Sequence, residues 1–72
     1  MTLRNWVKRN GGPKKTAMLL TGTRDAAIRM WLRGDNTPRA STMYEIYKLT
    51  RGRVSYKTMI EETLGVGNAK RR

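Results

Sequence analysis

The run GTRDAAIRMWLRG, Gly22 to Gly34, interleaves apolar and basic residues between two glycines. Wound as a helix, it places Ala27, Trp31 and Leu32 within about 100° of Ile28 and sends Ala26, Arg29, Met30 and Arg33 to the far side. A guanidinium on such a far side can grip a phosphate or bond the O6 and N7 of a guanine. Other chemistry is scarce. Histidine is absent, which removes the commonest general base and metal ligand. Cysteine is absent too, so neither a disulfide nor a thiolate-zinc site is available. The acids Asp25, Asp35, Glu45, Glu61 and Glu62 are scattered except for the last pair, and adjacent helix positions diverge by about 100°. Gly11-Gly12 lacks the downstream lysine and hydroxyl of a phosphate loop. The expectation is a binding module, not an enzyme, with no catalytic residue, cofactor, metal or small-molecule ligand.

The charge balance names the class of partner. Sixteen Lys and Arg against five Asp and Glu give +11 over 72 residues. Solubility of a small domain needs a net charge of only about 2–8, so an acidic polymer is the expected partner, nucleic acid ahead of an anionic membrane surface. The longest aliphatic stretch, Ala17-Met18-Leu19-Leu20, is far too short to span a bilayer, and nothing resembles a signal peptide. A single intracellular domain is expected, in a prokaryotic nucleoid or phage-infected cytoplasm. Its span is 1–66, with a flexible basic tail over 67–72.

Periodicity predicts helices nearly throughout, hence an all-α fold of five helices. Thr2 caps a first helix with Leu3, Trp6 and Val7 inward. Asn10-Gly11-Gly12 ends it, and Pro13 opens a second helix running about to Thr21, stopped by Gly22. Ala17 and Leu20 are its core residues. The third helix occupies about Arg24 to Arg33, closed by Gly34. Thr42 with Glu45 three residues on forms a capping box that opens a fourth helix, with Met43, Ile46 and Tyr47 inward and an end near Gly52. Ser55 caps a fifth, with Tyr56, Met59, Ile60 and Leu64 on one side and Gly65 as its stop. Val54, Tyr56 and Thr58 also alternate as a strand would, but the apolar residues beyond Tyr56 follow 3.6 rather than 2.

Two short helices joined by a glycine-containing turn, the second with a packed inner and a basic outer side, match the helix-turn-helix. The run Gly22-Thr23-Arg24-Asp25-Ala26-Ala27-Ile28-Arg29-Met30-Trp31 resembles the turn and recognition helix of the Cro-like phage repressors. Pro38, Ile46, Thr50, Gly52 and Val54 resemble that family's fourth helix and its ending. The resemblance covers about Leu3 to Ile60 and extends to antitoxin-like relatives. It departs from the family at Thr21 and Thr23, where apolar residues are usual, at Arg24, where the cap is usually Ser or Thr, and at Ala17-Met18, where Leu-Ala is usual. Thr23 is the alternative cap.

The resemblance implies a repressor of phage or mobile-element origin, acting on double-stranded DNA at a two-fold operator, as a homodimer at least on DNA. It places base contacts on Arg24, Asp25, Ala26, Arg29 and Met30. The wheel independently exposes Ala26, Arg29, Met30 and Arg33, so Arg29 rests on both arguments. Arg24 suits a base or a phosphate equally. Asp25 favours the helix dipole at its own N-terminus over a cytosine amino group. Ala26 and Met30 offer only apolar contact, as with a thymine methyl. Lys14 and Lys15 begin the second helix, where the dipole disfavours cations unless a phosphate docks there. Arg33, Asn36 and Arg39 suit flanking phosphates. Trp6 and Trp31 are read as core, and no exposed aromatics arranged for base stacking are expected. Surplus apolar residues of the fifth helix suit a two-fold contact or, in an antitoxin-like reading, a protein partner.

Overall fold

Backbone donors at the start of the chain show how this fold is held. In the computed structural model, which describes residues 1–64, α1 (Leu3–Arg9) has no acidic residue in its own first turn. Thr2 Oγ1 accepts from the Asn5 N–H at 3.0 Å, as expected of an N-cap. The remaining first-turn donors are met from far along the chain, where the Glu62 carboxylate accepts from the Leu3 and Arg4 N–H groups. A carboxylate there also meets the positive end of the α1 dipole. The other helices are α2 (Pro13–Ala17), α3 (Asp25–Arg33), α4 (Ala40–Leu49) and α5 (Tyr56–Leu64), with no strand among the described residues. The expected all-α, five-helix architecture is therefore the observed one. The boundary at 66, the stop at Gly65 and the tail over 67–72 lie outside the described residues.

The link from α1 to α2 depends on Gly12, whose φ of 109° and ψ of 178° are closed to residues bearing a Cβ. Pro13 then stands at the first helical position. α2 stops at Ala17 rather than Thr21. Beyond it the chain keeps winding to Leu20, but through tighter bonds from Met18, Leu19 and Leu20 N–H to carbonyls three residues back. This 3₁₀ winding brings Leu20 inward, 7% exposed, and leaves Met18 at 81%. Gly22 (φ 64°) then turns the chain into α3.

α3 begins with Arg24 as its N-cap residue and ends on Gly34 in the left-handed region, within one residue of the expected bounds. Gly34 and Asp35 N–H bond back to the Trp31 and Met30 carbonyls, the Schellman arrangement. An Arg4 guanidinium from α1 covers the Leu32 carbonyl at 2.6 Å.

The capping box at Thr42 does not form. The extended backbone of Arg39 (φ −70°, ψ 163°) leads straight from Pro38 into a helix that starts at Ala40. Thr42 therefore lies inside α4, buried, and Glu45 turns to the Thr21 N–H at 3.1 Å and hydroxyl at 2.7 Å. α5 follows the expectation at its start, with Ser55 Oγ accepting from the Thr58 N–H at 3.2 Å. The residues after Ser55 are thus helix, not strand.

One core joins all five helices: Leu3, Trp6, Val7, Leu20, Ile28, Trp31, Ile46, Val54 and Met59, with Ala17, Ala27, Leu32 and Met43 packed against it. Both tryptophans are inside. Three residues expected inside are not, since Tyr47, Tyr56 and Leu64 are 40%, 40% and 56% exposed. α5 instead turns Met59 and Thr63 inward, because a chain this short lacks the interior volume for two more rings. Ile46 is fully buried at the centre. Replacing it with Ala should lower the unfolding free energy by about 2–5 kcal/mol, read as a shifted urea midpoint with an unchanged slope.

Candidate nucleic-acid interface

What α3 shows to solvent follows from what it buries. α2 and α3 lie against one another, and Ile28 and Trp31 are sealed from water, with Ala27 and Leu32 partly covered. Four of nine residues so anchored leave the helix no rotational freedom about its axis. Ala26, Arg29 and Arg33 are consequently exposed, as the periodicity predicts, whereas Met30, expected exposed with them, is half-buried. Arg24, just before the helix, is exposed with no ion pair among the described residues, while Asp25 is half-buried.

The arginines of this face are not all alike. Arg29 Nη1 lies 3.1 Å from Asp25 Oδ2, one helical turn back. The pair uses one edge of the guanidinium and leaves its remaining N–H groups available, since arginine carries five donors in a rigid plane. Asp25 lies in the first turn of α3 and orients Arg29. Arg33 Nε is paired with Asp35 Oδ2 at 2.9 Å. Met30 is held from the side, with the Asn36 amide 3.8 Å from its sulfur.

Beside α3 runs a cleft of about 410 Å³ between the turn at Gly22 and the start of α4, and Asn36 and Arg39 both line it. Two of the residues expected to meet phosphates are therefore brought together next to the exposed face. α4 has no side-chain cap, so the N–H groups of its first turn open at the same place. Thr23 and Ser41 line the cleft as well, hydroxyl donors that periodicity could not single out because neither lies on a helical stripe. Lys14 and Lys15 are both exposed at the start of α2, the helix packed against α3, without a carboxylate partner among the described residues.

Exposed aromatics are nevertheless present on α4 and α5. Tyr44, Tyr47 and Tyr56 are 54%, 40% and 40% exposed. Tyr47 and Tyr56 stack with ring centres 5.1 Å apart, and Lys48 sits over the Tyr44 ring at 5.3 Å. These rings occupy one another and a cation, so they do not line the α3 face.

Among the described residues no group of three or more His, Cys, Asp or Glu could hold a metal, and no helix is long and apolar enough to cross a membrane. No family model, no curated protein and no solved structure matches the chain.

On its polar side the turn that delivers α3 is held by Glu45 and by the Thr23 hydroxyl, which donates to the Thr21 carbonyl at 3.3 Å. Glu45→Ala should cost about 1–2 kcal/mol, toward the low end for a hydrogen bond to a charged group because water reaches the pair. Amide exchange at Thr21 should accelerate while exchange at Ile46 tracks only the global loss.

Proposed function

We propose that this chain is a sequence-specific double-stranded DNA-binding regulator, a Cro-like repressor of phage or mobile-element origin. α3 enters the major groove, which is about 12 Å wide and admits one helix. The observation that carries the reading is α3 itself: sealed on one side by Ile28 and Trp31, and on the other presenting exposed arginines that keep donors free beyond their carboxylate partners. Arg29 reads a base, Ala26 and Met30 add apolar contact, and Arg24 reads a base or holds a phosphate. Asn36 and Arg39 meet the backbone in the cleft beside α3, where the uncapped start of α4 favours a phosphate. Arg33 and, at the start of α2, Lys14 and Lys15 add to the backbone contacts. Two copies on a two-fold operator would read half-sites about one helical turn, roughly 10 base pairs, apart.

A second reading, a DNA-binding module that also engages a protein in the manner of antitoxin-like relatives, is favoured by the half-exposed tyrosines and Leu64. Tyrosine is enriched in protein interfaces. A Tyr56 substitution that abolishes such a partner and spares DNA binding selects this reading.

Selection from a random duplex pool at about 150 mM salt tests the proposal. Wild type should enrich a two-fold motif, and Arg29→Ala should lose about 1–3 kcal/mol of discrimination at one position of each half-site. Equal binding of every duplex by both proteins would sink it. With six to ten phosphate contacts, log affinity against log salt should fall with a slope of roughly −5 to −9. Asp25→Ala separates orientation from charge. It should raise affinity for random duplex by removing a negative charge, and lower preference at the Arg29 base by freeing the guanidinium, both read by competitive titration.

A further inference from the structure

At the far end of α4 from the α3 cleft, the C-terminal ends of α1 and α4 meet around a second cleft of about 480 Å³. Arg9, Arg51 and Arg53 line it, with Asn10 and Thr50 between them and Trp6 at its wall. No carboxylate lines it, and none of the three arginines has an ion pair among the described residues. Two helix C-termini do present negative dipole ends here, worth about half a charge each. Three guanidiniums exceed that by roughly two positive charges, so capping the helices does not account for them.

The turn that carries two of these arginines is firmly built. Buried Thr50 donates its hydroxyl to the Ile46 carbonyl at 2.8 Å and accepts from the Val54 N–H at 3.1 Å. Gly52 N–H bonds the Tyr47 carbonyl at 2.8 Å. Arg51 is the one non-glycine residue with positive φ among the described residues, at 56°. The Arg51 N–H bonds the Lys48 carbonyl at 3.1 Å, so with Gly52 it closes α4 in the Schellman manner and the arginine is carried on an ordered helix end.

We propose that this cleft is a second phosphate-binding site, which takes the backbone of a further nucleic-acid duplex. Guanidinium forks match phosphate oxygens in pairs, and the shallow, water-open shape suits a polymer backbone passing over it. α4 has ten residues and so separates the two clefts by about 15 Å. The chain would then hold one duplex on α3 and a second at the opposite end of α4. The identity of the polymer rests on the DNA-binding reading; the anion site itself does not.

The test has two arms. In the first, ¹H–¹⁵N NMR follows arginine Nε resonances of the full chain during titration with inorganic pyrophosphate. Saturable shifts at Arg9, Arg51 and Arg53 are expected, and shifts no larger there than at Arg33 would overturn the site. In the second, protein is loaded on an immobilised duplex and then offered a second, fluorescent duplex. The triple variant Arg9→Gln, Arg51→Asn, Arg53→Gln keeps a residue tolerant of the left-handed region at 51, and an unchanged thermal melt certifies its fold. It should hold the first duplex within threefold of wild type and retain at least tenfold less of the second. Equal retention of the second duplex overturns the proposal. If wild type captures no first duplex, the α3 reading fails, and the pyrophosphate arm still decides the anion site. Saturable pyrophosphate binding with no captured duplex overturns nucleic acid as its occupant.

Discussion

With five acids against sixteen bases, the chain cannot neutralise itself, and where it places its few carboxylates decides much of the rest. Two of them hold backbone. Glu62 reaches from α5 to the first turn of α1, and Glu45 reaches from α4 to the turn before α3. Each joins elements separated by many residues at a point where N–H groups lack helical partners. The other three, Asp25, Asp35 and Glu61, each sit beside a base on or next to their own helix. Exposed pairs of that kind stabilise by only about 0–1 kcal/mol, so their value lies in where they fix a side chain. What remains unpaired is a surface of one sign, which makes an anionic polymer the natural complement.

The same allocation shapes the α3 face. Packing of Ile28 and Trp31 sets the azimuth of the helix, Gly34 and the Arg4 guanidinium finish its C-terminal end, and Glu45 pins its entry. A helix of nine residues would not be stable alone in water; it acquires a fixed pose from contacts at both ends and along one side. Asp25 then restricts Arg29 without consuming its donors. Under the proposed function, that restraint lowers the entropy lost when a base is read and narrows which base geometry fits.

Much of this was legible in the sequence, for identifiable reasons. The 3.6 periodicity around Ile28 and Trp31 belongs to one helix and needs no distant information, so the exposed set Ala26, Arg29 and Arg33 followed. Thr2 and Ser55 cap locally and were likewise readable. The misplacements concern residues whose partners are remote. Glu45 carries the spacing of a capping box with Thr42, yet its bond goes to Thr21, twenty-four positions away in sequence. The end of α2 depends on how Leu20 enters the core through tighter winding. The cleft that gathers Asn36 and Arg39 next to the Gly22 turn is a product of tertiary packing. Periodicity also named Tyr47 and Tyr56 as inward because it registers hydrophobic side, not available volume.

Volume is the deeper limit. α5 offers apolar residues around more of its circumference than the core can accept, and the choice between them is made by size and shape. Met59 is flexible enough to fit fully inside the core that also holds Ile46 and Val54, and Thr63 fits because its hydroxyl bonds the Met59 carbonyl at 2.7 Å. A tyrosine at either place would need interior room and a partner for its hydroxyl. The rings are therefore relegated to the outside, where Tyr47 and Tyr56 cover one another and shield the α4–α5 turn. Stacking removes part of their apolar area from water, but the outer surface of the pair and Leu64 stay wet. A small domain reaches this state when its hydrophobic residues outnumber its interior positions. The flank of α5 left over is consequently a product of scale.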